Sequence, residues 1–462
     1  MEQITSKLYP VTYMASLLIG LSKFTNHKEM LQLPMATSFN QKLDFDLLKK
    51  AFNIEIERND CLRLRFKKQK GEWFQYFIPA YEETRFPYVD FTGKTEQEMY
   101  DYFSKDASKP MRFKKGELYR IILFTAPDGN SGIFLNVSHF IVDGGALFLI
   151  LADLLQVYEA LATGAEMPKP LATFESCMQT DLKYMADTER QNEDRAFFKE
   201  MVSKCGEPIY TSLGGTEYLE QQRKKKKNPN LRRVPFNMIV KPKTWSKGYH
   251  ISPELTEQIN RFCAANSMSQ QNLLQFATRM YLAKVNNTDD VMLNVICNRR
   301  PTLSDRRSGG LRANGLPYRT IFDENLTAID ALNQSSQQLS EFYRHADFPT
   351  YHQYDIYKDL YGLSRSDSYD SVTINFMPSI PLPIADLKAK VQWISPGYFM
   401  ANVYYMAFNN LWDGGLDLVF ECRHNITKVE DVDRFVDGLQ KIMQACIDNP
   451  QITLHDISHK VL

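Results

Sequence analysis

Apolar residues along this chain fall into two kinds of block. Some recur every three or four positions, as on one face of a helix; others alternate with polar residues or run unbroken, as in strands. Ile133 to Val137 is an unbroken run ending in Asn136-Val137-Ser138-His139, and Asp143-Gly144-Gly145 then opens a helix-like block from Ala146 to Leu161. Strand, tight turn and helix is the reading of that stretch. Upstream, Tyr119 to Phe124 pairs with Ile133 to Val137 as a hairpin around Pro127-Asp128-Gly129-Asn130, residues that favour turns.

The same reading extends along the chain. Tyr9 to Leu21 is expected as a short helix and Met35 to Asn40 as a strand. Asp44 or Asp46 caps a helix that carries Leu47, Leu48, Ala51 and Phe52 and ends near Arg58. Leu62, Leu64 and Phe66 alternate with Arg63 and Arg65, a strand with one wet face, which turns through Lys67 to Gly71 into a partner strand at Trp73 to Ile78. Thr163 to Pro170 breaks the chain, and Thr173 to Lys204 is expected as charged, exposed helix. In the second half, Ser252-Pro253 starts a helix, Ser269 to Val285 forms another, and Val291 to Ile296 and Ser371 to Phe376 read as strands. Tyr404 to Asn409 and Leu416 to Cys422 flank the turn Trp412-Asp413-Gly414-Gly415, before a last helix from Val429 to Ile447.

Helices and strands interleave throughout, which predicts an α/β protein. At 462 residues the chain exceeds one ordinary core. The expected division is a first lobe over 1–205, a crossover over 206–242 and a second lobe over 243–462. The crossover contains Gly214-Gly215 and the basic run Arg223-Lys224-Lys225-Lys226-Lys227, expected as a solvated loop, with a docking surface for phosphates or an acidic protein as the functional alternative.

Composition narrows the function classes. Lys plus Arg and Asp plus Glu number 55 each, so no basic excess points to nucleic acid. The seven cysteines are scattered and never spaced C-x-x-C, which predicts a reducing compartment without disulfides or zinc. Val11 to Leu21 is too short to span a membrane and lacks signal-peptide flanks, so the expectation is a cytoplasmic protein without a membrane span. The eight histidines form no metal-binding spacing, and no phosphate-binding glycine loop is present.

The candidate chemistry lies at His139. A histidine fixed at a strand end is rigid, and Gly144 and Gly145 leave backbone N–H groups open at a helix N-terminus. His139-x-x-x-Asp143-Gly144 resembles the H-x-x-x-D-G motif of thioester-dependent acyltransferases: chloramphenicol acetyltransferases, plant BAHD enzymes, alcohol acetyltransferases and nonribosomal peptide synthetase condensation domains. Three further stretches resemble condensation-domain motifs in the same order. Arg58-Asn59-Asp60-Cys61-Leu62-Arg63-Leu64-Arg65-Phe66 is similar to R-H-E-x-L-R-T-x-F. Arg299-Arg300 followed by Gly310-Leu311-Arg312-Ala313-Asn314-Gly315-Leu316-Pro317-Tyr318-Arg319 is similar to an arginine before G-x-F-x-N-T-L-P-L-R. His345-Ala346-Asp347-Phe348-Pro349 is similar to the H-x-D-x-P beyond it.

The resemblance implies two chloramphenicol-acetyltransferase-like lobes with an active-site tunnel at their interface. It implies acyl transfer from acyl-CoA or a carrier-bound phosphopantetheine thioester, as co-substrate rather than bound cofactor, to a small-molecule hydroxyl or amine. His139 is then the general base, and the Gly144 or Gly145 N–H the oxyanion donor, with Gly144 the first candidate. Asp143 holds the turn by pairing with Arg63, and Ser138, Gly145, Arg300 and Asn314 belong to the tunnel or its loops. Ser138 stands where condensation domains carry a first histidine; as the strand neighbour of His139 it faces the other way and is not expected to be a nucleophile. The alternative is a catalytically inactive relative used for docking or small-molecule binding.

Overall fold

Two mixed β-sheets backed by helices carry the apolar blocks of the sequence. The computed structural model describes residues 7–236, 242–377, 384 and 386–462. Residues 1–6 of the expected first lobe, 237–241 of the crossover, and 378–383 and 385 of the second lobe lie outside the described residues.

The first sheet runs in the order Ala389–Trp393, Gln32–Phe39, Ser131–Ser138, Tyr119–Thr125, Tyr88–Asp90. Its centre is Ser131–Ser138, all of whose residues are buried. It lacks the apolar–polar alternation of a half-exposed strand because both faces are covered. Ile133, Leu135 and Val137 join the core under the helices Phe45–Arg58 and Gly144–Thr163. Phe134, on the opposite face, stacks at 4.4 Å on Phe103 of the helix Glu96–Ala107. Gly144–Thr163 is long and apolar enough to cross a membrane, but it is the central helix of this core, with 12 of its 20 residues buried. A small sheet of Tyr9–Pro10, Glu72–Phe77 and Leu64–Gln69 flanks it.

The second sheet has six strands, in the order Asn314–Thr320, Val291–Cys297, Val372–Met377, Val403–Asn409, Leu416–Arg423, Thr244–Ile251. On Val372–Met377, Val372 and Ile374 enter the second core, while Met377 joins the first. This is the period-two alternation of a strand lying between two packed layers.

Several expectations are corrected. The first helix starts at Tyr13, where Thr12 caps it, and Tyr9–Pro10 is a strand. The Leu62 strand begins only at Leu64, because Asp60–Arg63 turns while the Asp60 carboxylate accepts the Phe174 and Glu175 N–H groups at 2.7 and 3.0 Å. The segment from Thr173 to Lys204 is two helices, Phe174–Ala186 and Thr188–Ser203, split at Asp187, and it is not simply exposed: Met178, Asp194 and Phe198 are fully buried. The basic run is no loop; it is the C-terminal turn of the helix Glu217–Lys226, closed by Lys227 in the left-handed conformation, where cations offset the helix dipole.

Two segments cross the expected lobe boundaries. Phe198 and Val202, from before residue 205, pack in the second core. Ala389–Trp393, from the second half, pairs antiparallel with Gln32–Phe39 and completes the first sheet.

Candidate active site

His139 is the first residue after the Ser131–Ser138 strand. Its N–H donates to the Leu31 carbonyl at 2.8 Å, and the Ile141 N–H closes the turn on the Ser138 carbonyl at 3.0 Å. The residue as a whole is partly exposed, and its Nδ1 lies 2.8 Å from the Val142 carbonyl oxygen. A carbonyl only accepts, so Nδ1 carries the proton and Nε2 keeps its lone pair. Burial lowers the imidazole pKa, against smaller raising effects from that hydrogen bond and from Asp143. The ring is therefore neutral, aimed, and basic at one known nitrogen.

Asp143 caps the helix that follows. Its Oδ1 accepts the Ala146 N–H at 2.9 Å. Its Oδ2 accepts from Arg300 Nη1 at 2.9 Å and from the Arg312 and Ala313 N–H groups at 2.8 Å each. Its own N–H donates to the Gly310 carbonyl at 3.3 Å. Burial alone would raise this carboxyl, but the Arg300 charge and the donors outweigh it and hold its pKa below the ordinary value. Arg300 is equally enclosed, donating also to the carbonyls of Asn298, Ser308 and Gly310.

The expected Arg63–Asp143 pair is thus corrected. Arg63 spends its guanidinium on the Ile56 and Ile78 carbonyls at 3.1 and 2.9 Å, holding the base of its own hairpin. Arg300 takes the role foreseen for Arg63. The Arg58–Phe66 stretch still supports the site indirectly. Arg58 grips Asp153 of the Gly144–Thr163 helix through two hydrogen bonds, at 2.7 and 2.9 Å. Asn59 and Cys61 crowd Gly309, where a Cβ would fall 2.3 Å from Asn59 Oδ1. Gly310 is equally constrained: its φ is +93°, and a Cβ there would fall 1.9 Å from the Phe174 ring.

The remaining candidates separate. Ser138 is buried and lines a cavity the size of one water with Ser22, Lys28, Leu31 and Phe140. The Asn314 amide donates to the Ala346 and Phe348 carbonyls at 3.0 and 2.6 Å, tying the Asn314–Thr320 strand to the His345-to-Pro349 turn. Both bonds brace that turn. Gly145 would accept a Cβ at ordinary contact distance from Asp143 and Arg300, whereas one at Gly144 would fall 2.8 Å from Met377 Sδ. Among the described residues no group of three or more His, Cys, Asp or Glu side chains is arranged to hold a metal ion.

Sequence reasoning missed the backbone donors of Arg312 and Ala313, since main-chain groups leave no residue-type signal. It also missed Glu421 on Leu416–Arg423, buried and accepting from Thr244 Oγ1 at 2.9 Å. Burial pushes its pKa up to about 7, against hydrogen bonds from Ser395, Thr244 and Ser246.

Two α/β lobes clasped at a histidine turn make up a chloramphenicol-acetyltransferase-like fold. A family model described as a condensation domain matches residues 5–458, and the chain belongs to that family, whose members are acyl- and amide-forming transferases. The chain is 22% identical over 98% of its length to surfactin synthase subunit 1 of Bacillus subtilis, and 22% identical over 90% to bacitracin synthase 3 of Bacillus licheniformis. It spans only 12% and 6% of those two proteins. Among solved structures, it superposes on the first condensation domain of the calcium-dependent antibiotic synthetase, in complex with a substrate analogue, with a TM-score of 0.80 and 19% identity, covering 99% of this chain and 100% of that one. A variant of the starter condensation domain of rhizomide synthetase in complex with C8-CoA matches with a TM-score of 0.77 and 16% identity, covering 97% of each chain.

Proposed function

We propose that this protein transfers an acyl group from a thioester donor to a hydroxyl or amine acceptor, with His139 Nε2 as general base. The observation that carries the reading is the 2.8 Å contact from His139 Nδ1 to the Val142 carbonyl. It fixes the tautomer and leaves one basic nitrogen free on a partly exposed residue. The acceptor loses its proton to Nε2 as its oxygen or nitrogen attacks the thioester carbonyl. The developing oxyanion is met by an N–H at the start of the Gly144–Thr163 helix, with Gly144 the candidate donor. Collapse expels the thiolate, which takes up the proton held on the imidazolium. Asp143 and Arg300 touch neither reactant; they keep the turn beneath the imidazole in place.

The donor is an acyl-CoA or a phosphopantetheine thioester on a carrier protein, and the setting is cytoplasmic. The rhizomide synthetase neighbour, solved with C8-CoA, supports the first donor, and the synthetase relatives support the second. Thiol release from a panel of acyl thioesters, with and without acceptors, tests the reading. Release that needs an acceptor and is lost in His139→Ala sustains it; equal release by the two proteins rejects it. The second reading is an inactive relative, favoured by the Met377 side chain packed onto Gly144. It predicts no release with any donor.

A further inference from the structure

We infer that Met377 sets the length of the acyl chain that the protein accepts, an inference that rests on the acyl-transfer reading above. Gly144 is the first residue of the motif helix, and the position of a Cβ on it lies 2.8 Å from Met377 Sδ and 3.9 Å from Met377 Cε. Met377 comes from the other lobe. It is the last residue of Val372–Met377, is 4% exposed, and points away from the second core. Its thioether therefore forms the wall against the start of the helix where the reacting carbonyl is held.

A carbonyl oxygen bound at that helix start brings the next carbon of its own acyl chain against this wall. What lies behind the wall is apolar. Phe148, one helical turn beyond Gly144 and on the same face, has Phe408 at 6.1 Å and Trp393 at 6.0 Å between ring centroids. Met406 belongs to the same cluster. The chain that fits is a hydrocarbon, and Met377 stands between its first carbons and the aromatic groups. Methionine is unbranched and turns about three side-chain bonds. It yields to a short chain by a rotamer change and blocks a long one by its bulk.

The test uses the full chain and straight-chain acyl thioesters of N-acetylcysteamine, from acetyl to decanoyl, which stand in for both kinds of donor. The readout is the ratio of kcat/KM for long against short chains. Met377→Ala is expected to raise that ratio about tenfold or more and Met377→Phe to lower it by a similar factor, since one methylene in a fitted apolar pocket is worth about that much. Met377→Leu is expected to leave it near the parent value. Where a variant loses turnover, the same ratio is read from the rise in Tm with unreactive acyl thioether analogues. A ratio unmoved by both Ala and Phe overturns the role of Met377. Thiol release that persists in His139→Ala fails the acyl-transfer reading instead, so the two failures are told apart.

Discussion

Asp143 and Arg300 are 157 positions apart in the chain and sit in different lobes, yet they meet at 2.9 Å with both side chains almost fully enclosed. The turn that aims His139 is therefore fastened from the second lobe as well as by its own bonds to Leu31 and Ser138 within the first. A buried ion pair of this kind is no guarantee of stability compared with apolar packing. Removing one partner is nonetheless costly, because the other charge is left without water or counter-ion.

Asp143→Ala and Arg300→Ala are each expected to lower the unfolding free energy by about 3–5 kcal/mol. The double variant is expected to lose less than the sum, because its second change removes an already orphaned charge. Arg63→Ala, which frees two carbonyls, is expected to cost about 1–3 kcal/mol and to be additive with Asp143→Ala. Urea denaturation of the single and double variants checks this. Coupling of Asp143 to Arg63 rather than to Arg300 would contradict the structure.

His139→Ala is expected to lower acyl transfer by about 10²–10⁴-fold, the usual contribution of a positioned base. Its Tm should stay near the parent value, because the ring makes one backbone hydrogen bond and the Val142 carbonyl it leaves is the single group orphaned. His139→Gln, which can keep a bond to the Val142 carbonyl, should be as inactive. A variant that melts early and refolds with full activity would point to a structural histidine.

The pH profile carries a sign. Burial places the His139 pKa below its ordinary 6.5, so the imidazole remains neutral to lower pH than a free histidine. Transfer rate should rise through a midpoint below about 6.5 and be flat above it. A depressed histidine pKa also means that the unfolded chain binds more protons in that window, so stability falls as pH drops below the unfolded value. A rate midpoint above 6.5 in a His139-dependent activity would contradict the depressed imidazole pKa.

Glu421 acts in the opposite sense. Its folded pKa of about 7 exceeds the ordinary 4.5, so the folded state keeps a proton that the unfolded state has lost. Stability from this group is present at low pH and declines as pH rises from about 4.5 to 7. Glu421→Gln should flatten that decline and be more stable than the parent at about pH 8, by at most about 3 kcal/mol. Equal pH slopes for the two proteins in thermal melts would remove the buried-carboxyl account.

Much of the fold was legible because its signals are local. The Tyr119–Thr125 and Ser131–Ser138 hairpin, the Asp44-capped helix and the Ser252-Pro253 start all follow from turn, cap and periodicity rules acting over a few residues. What escaped was set at long range. Nothing near Arg63 or Arg300 says which one reaches Asp143; the answer depends on the Ser308 to Ala313 loop crossing to the first lobe. The exposure expected for Thr173 to Lys204 failed for a similar reason, since its many charges include Asp194, which the second lobe covers and pairs with His345 at 2.7 Å. At the site, His139, Asp143 and Gly144 were readable from one motif. The contact of Met377 with Gly144 was not, because a methionine at a strand end gives no local sign of what it packs against.

The Ala389–Trp393 strand has a consequence for how the molecule can be divided. It hydrogen-bonds along Gln32–Phe39 from Met35 to Phe39, so a polypeptide stopped near residue 205 would bare that ladder as an unpaired border, open to pairing with other molecules. Each half thus takes part of its packing from the other. The histidine turn is fully fastened only late in synthesis, since Arg300 and then this strand leave the ribosome long after it.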